Sequence, residues 1–82
     1  MDAEEFSRDL GMRLRAARTQ NKLSQRQVQE KSSGRWKASM IGNWERGTRN
    51  ISIESLAGLA EFYGMPAPAL IPGNVYIRPR DS

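Results

Sequence analysis

The sequence predicts an all-α domain, compact and built from four to five short helices. Three observations predict it. Apolar residues recur at helical spacing in four separate stretches, serine caps and glycine stops punctuate those stretches, and the only alternating segment, Val75-Tyr76-Ile77, falls near the C-terminus. A chain of 82 residues is one domain, and domains this small bury only about 60% of the surface that their unfolded chains expose. With no cysteine to form disulfides, a single apolar cluster has to hold the fold together.

Phe6, Leu10, Leu14 and Ala17 place the first helix over residues 4–20, with acidic side chains in its first turn and Asn21 as its stop. Ser24 and Gln27 then have the spacing of a capping box, and Leu23 and Val28 that of a hydrophobic staple. A second helix starts there and runs to about Ser32. Lys31-Ser32-Ser33-Gly34 supplies turn chemistry, and Trp36 returns to apolar sequence. The third helix spans about 37–46, with Met40, Ile41 and Trp44 on one side and Gly47 as a left-handed stop. Ile51, Ser52 and Leu56 repeat the staple and cap, opening a fourth helix through Leu59, Ala60 and Tyr63 to Gly64. Residues 66–70 supply one further short turn. The folded domain is therefore expected over 1–72, with 73–82 as a C-terminal tail.

Charge is distributed unevenly along this framework. From Gly11 to Asn50 there are ten basic residues against Glu30 and Glu45, a net +8, whereas the flanks hold three basic and seven acidic residues, a net −4. A polyanion is the natural partner for such a segment, the alternative being a solvated basic surface. Histidine is absent as well as cysteine, which removes the commonest general base and the usual metal ligands. No metal, no cofactor and no catalytic centre are expected, and the chain is not read as an enzyme. No apolar run approaches the ~20 residues of a membrane span, and the start Met1-Asp2-Ala3-Glu4-Glu5 is unlike a signal peptide. A cytoplasmic location with no membrane partner is expected.

Two short helices joined by a turn, the second with polar residues opposite its apolar side, make a helix-turn-helix arrangement. Leu23-Ser24-Gln25, Trp44-Glu45-Arg46-Gly47, Ser52-Ile53-Glu54-Ser55-Leu56-Ala57 and Tyr63-Gly64 resemble the lambda-repressor/Cro family of helix-turn-helix proteins at matching places, over about Leu10 to Leu70. Glu30-Lys31-Ser32, Gly34-Arg35-Trp36-Lys37-Ala38 and Glu61-Phe62-Tyr63-Gly64 narrow the resemblance to the BldD-type regulators within that family. The turn between helices two and three is two residues longer than in the general family.

The resemblance implies a lambda-repressor-like fold that binds double-stranded operator DNA as a homodimer on paired half-sites, with repression as the expected outcome. Ala38, Ser39 and Asn43 then occupy the positions that reach base edges. Ser39 and Asn43 lie four apart on one helical face and both hydrogen bond, while Ala38 offers only a methyl group. Gln25, at the N-terminus of helix two, takes the place of a phosphate ligand, and Arg46, Arg49 and Asn50 that of a second phosphate clamp. Arg35 and Lys37 face either phosphate or a base edge, and Lys22 and Arg26 are either phosphate ligands or solvated charges. Trp36 and Trp44 fit the core better than a stacking role. Glu45 takes the place of an acid that the family pairs with an arginine at the position of Arg18, a structural ion pair locking helix one to helix three. The competing reading is a protein-interaction module of the same fold, an antitoxin or docking domain, which calls for an apolar patch where helix three carries Ser39, Asn43 and Arg46. BldD-type proteins carry a further C-terminal domain, so the chain is open to being an N-terminal portion of something longer. The candidates for self-contact are Leu70, Ile71 and residues 75–77.

Overall fold

The computed structural model of the chain describes residues 1–73, and four α-helices and one 3-10 turn make up its regular structure. The helices are α1 (Ala3–Gln20), α2 (Gln25–Lys31), α3 (Ala38–Arg46) and α4 (Ile53–Tyr63), followed by the 3-10 turn Ala67–Leu70. Apart from Gly73, the proposed tail, with the self-contact candidates at 75–77, lies outside the described residues.

Local chemistry explains where the helices begin and end. Ser24 accepts the Gln27 N–H while Gln27 reaches back to the Ser24 N–H, so two of the orphan donors that open α2 are satisfied. Asp2 and Glu5 make a second capping box that opens α1 one residue earlier than the apolar spacing indicates. Ser52 caps α4 through the Ser55 N–H. At the other end of α3, Gly47 turns left-handed at φ 76°, and Thr48 N–H closes on the Asn43 carbonyl.

One core joins the elements: Leu14 and Ala17 from α1, Val28 from α2, Trp36 from the turn, Ile41 and Trp44 from α3, Leu59, Ala60 and Tyr63 from α4, and Leu70. Both tryptophans are buried. The staple residues Leu23 and Ile51 pack against this cluster, as do Leu10, Met40 and Leu56. Helix α1 lies across α3, and its Gly11 sits directly on the end of that helix. A Cβ at Gly11 would lie 2.8 Å from the Trp44 carbonyl oxygen and closer still to that of Glu45, so only glycine admits this approach. Among the described residues no helix is long and apolar enough to cross a membrane.

Candidate nucleic-acid interface

The unit of α2, turn and α3 is held from three sides. Its connection, residues 32–37, takes two successive left-handed residues, Ser33 at φ 57° and Gly34 at φ 79°. The Ser33 and Gly34 N–H groups bond back to the carbonyls of Glu30 and Gln29. Trp36 drops into the core and meets Phe62 of α4 edge-on, with ring centroids 5.7 Å apart. Lys37 is the N-cap residue of α3 but supplies no capping bond. Gln29 does so instead: its Oε1 accepts the Ala38 N–H at 2.7 Å, so α2 caps α3 across the turn.

The inner side of α3 is fastened by charge. Arg18 donates from Nε to Glu45 Oε2 at 2.7 Å and from Nη2 to Oε1 at 3.0 Å, a two-pronged pair whose side chains are 11% and 5% exposed. Its third nitrogen donates to the Leu23 carbonyl at 2.8 Å. The hydrogen bond from Glu45 raises the pKa of Arg18 above its ordinary value, against the opposing effect of burial. A buried pair of this kind ties α1, α3 and the α1–α2 connection together, and removing one member strands the other charge.

The outer face presents a different arrangement. Ser39 and Arg46 are exposed and Asn43 is half-buried, and the three share one side of α3, opposite Ile41. Arg46 is the last helical residue and runs back along this face, donating from Nη2 to Asn43 Oδ1 at 2.7 Å. The same oxygen accepts from Thr48 Oγ1 at 3.2 Å. Between them lies Gly42, where a Cβ would stand 3.1 Å from Arg46 Nη1 and 3.2 Å from Gln25 Oε1. Lys37 precedes α3 and Arg49 and Asn50 follow it; all three are exposed, and Arg49 and Asn50 line a shallow pocket with Phe6, Ser7 and Leu10 of α1 and Trp44.

Several residues sit differently from their sequence-based expectation. Gln25, expected on the open N-terminus of α2, is half-buried, because its Nε2 donates to Glu45 Oε1 at 3.1 Å and its amide lies over Gly42. Arg46, expected to join Arg49 and Asn50 in a phosphate clamp, closes α3 as its last residue and shares the face of Ser39 and Asn43. Arg35 stacks its guanidinium 4.5 Å from the centre of the Trp36 ring and packs against Gly58 of α4. Arg26 lies 3.7 Å from Glu30 in an exposed pair one turn along α2. Ala38 is half-buried and Lys37 is extended, standing at the N-cap position just before the first helical residue. Sequence reasoning missed Gln29, Gly42 and Thr48. Gln29 has no local signature, since its partner is nine residues away on another element.

An exposed polar helix face, mounted on a buried ion pair and reached through a turn from a capped helix, defines a helix-turn-helix protein. The chain belongs to the helix-turn-helix family, whose profile matches residues 14–70. Two solved structures are similar to it. The crystal structure of the DNA-binding domain of BldD is 50% identical, with a TM-score of 0.81 over 88% of this chain and 100% of that one. The S. venezulae BldD DNA-binding domain is 51% identical, with a TM-score of 0.80 over 83% of this chain and 99% of that one. No curated protein matches the chain.

Proposed function

We propose that this domain is a transcription regulator that binds a specific duplex DNA site by laying the outer face of α3 in the major groove. The observation that carries the reading is that face itself. Ser39, Asn43 and Arg46 stand together on it, and Arg46 has no carboxylate partner among the described residues, whereas Glu45 beside it is consumed by Arg18 and Gln25. A free cation and two hydrogen-bonding side chains on a rigid helix match the edges of base pairs, and the half-buried Ala38 leaves room for a thymine methyl. Arg49, Asn50 and Lys37 at the rim, with Arg26, are placed to hold phosphates, which position the protein without reading sequence. Gln25 serves as a phosphate ligand through its backbone N–H at the start of α2, since its side chain is turned inward. Arg35 reaches phosphate only by leaving Trp36.

Family resemblance extends the proposal to a homodimer on two half-sites about one helical turn apart, to repression, to a cytoplasmic setting and to the absence of enzymatic activity. Selection of bound duplexes from a random pool tests the reading. A palindromic winner, bound by two chains in sedimentation with affinity falling steeply as salt rises, is the expected result. A pool that yields no preferred sequence would sink it.

A further inference from the structure

We propose that Arg46 is the residue that reads guanine and that Asn43 acts mainly by positioning it. This rests on the DNA-binding reading above and reverses the roles that the family resemblance implies, with Asn43 at a base and Arg46 on a phosphate. Arg46 sits at the C-terminal end of α3, but its side chain folds back toward the N-terminus of the helix, over the Asn43 amide and the bare backbone of Gly42. The guanidinium is thereby carried from the helix end to the middle of the outer face. A Cβ at Gly42 would crowd Arg46 Nη1 and the Gln25 amide together, so the space Arg46 occupies depends on this glycine.

Hydrogen-bond capacity points the same way. Asn43 Oδ1 accepts from Arg46 Nη2, and the single Thr48 hydroxyl proton stands 3.2 Å from both this oxygen and the Asn43 backbone oxygen, so an adenine N6 would have to compete with Arg46 for an acceptor already engaged within the protein. Arg46 has five N–H donors and, among the described residues, uses one of them, which leaves donors on both terminal nitrogens. Two parallel donors at that spacing fit O6 and N7 of guanine, the commonest specific pairing in the major groove. Holding the fork in advance by Asn43, itself anchored by Thr48, lowers the conformational freedom that binding would otherwise remove. A phosphate ligand needs no such orientation, because a flexible cation serves.

The test uses the whole chain and the duplex recovered by selection. Single-base variants and a duplex carrying 7-deazaguanine, which lacks the N7 acceptor, are compared position by position. At one symmetric guanine, 7-deazaguanine should weaken binding of the parent roughly 5- to 150-fold and leave Arg46→Ala unaffected. Arg46→Lys should not restore the preference, because an ammonium cannot fork. Asn43→Ala should flatten the preference at that same guanine and add little to Arg46→Ala in the double variant. Asn43→Asp, which keeps an acceptor for Arg46, should retain the guanine preference while weakening every duplex through its charge. Gly42→Ala should lose guanine discrimination, and because its methyl also presses on the Gln25 amide that bonds Glu45, its melting curve and its retained binding of non-preferred duplexes separate a loss of reading from a loss of fold. Arg46→Ala weakening all duplexes equally, with 7-deazaguanine without effect on the parent, would return Arg46 to the phosphates. Altered preference at an adenine in Asn43→Ala would make Asn43 the reader. A parent that binds no duplex selectively would overturn the DNA-binding reading and this inference with it.

Discussion

Glu45 and Arg46 are neighbours on α3, and the fold treats their charges in opposite ways. Glu45 points inward, where Arg18 and Gln25 supply three donors to its two oxygens. Arg46 points outward and, among the described residues, is hydrogen-bonded by the neutral amide of Asn43 alone. A charge taken out of water has to be neutralised within the protein, whereas a charge left in water is available to a partner. The inner face of α3 is thus a fastening and the outer face the surface proposed to read DNA, and the ~100° turn between successive helical residues sets Glu45 and Arg46 on different faces. Substitutions on the two faces should divide in the same way, inner ones acting on stability and outer ones on binding.

The largest effect is expected at the fastening. Glu45→Gln leaves the Arg18 guanidinium buried without a counter-charge, and the loss should be about 3 to 5 kcal/mol in denaturant titration. A variant that unfolds at the parent's midpoint would erase the contrast between the faces. Gly11→Ala comes next. Helix preference alone would stabilise it by about 1 kcal/mol, but the new methyl meets the backbone of α3, and a net loss of about 1 to 3 kcal/mol is expected. The sign of the measured change therefore reports how tightly α1 lies on α3.

A smaller loss, about 1 kcal/mol, is expected for Gln29→Ala, which removes the cap that α2 lends to α3. Because the cap orients α3, the helix proposed to read DNA, duplex affinity should fall further than that stability loss implies, which calorimetry and binding together resolve. Tyr63 gives a pH-dependent test of the inner side. Its hydroxyl is buried with no hydrogen-bond partner among the described residues, and burial, with Glu45 adding, pushes its pKa up to about 12 from 10.0. The native state holds this proton more tightly than the unfolded chain does, so the stability tied to it is complete below pH 10 and is lost as pH rises toward 12. Tyr63→Phe should abolish that part of the alkaline loss and raise stability at neutral pH by up to about 1 kcal/mol. The smallest stability change is expected at the rim. Arg49→Ala should stay within about 0.5 kcal/mol of the parent in stability yet lower the salt slope of duplex binding by about one. An unchanged slope would take Arg49 off the phosphates.

What the sequence by itself determined is whatever chemistry closes within about five residues. The Ser24–Gln27 box, the Ser52 cap, the left-handed stops at Gly47 and Gly64 and the apolar spacing of all four helices are of this kind, because a helix end is satisfied by its immediate neighbours. The Asp2–Glu5 box was equally local and was there to be seen. Arg18 and Glu45, 27 residues apart, were linked only by resemblance to a family. Tertiary structure alone decided the rest. Gln25 turning inward to Glu45, Gln29 capping Ala38, Gly11 admitting the end of α3 and Arg35 stacking on Trp36 against α4 all depend on where one helix lies against another. The fold-back of Arg46 onto Asn43 spans only three residues, yet it too depends on packing, because the bare surface at Gly42 and the Gln25 amide beside it leave the arginine its path. A side chain's local spacing names the groups within its reach, and the packed surroundings select among them.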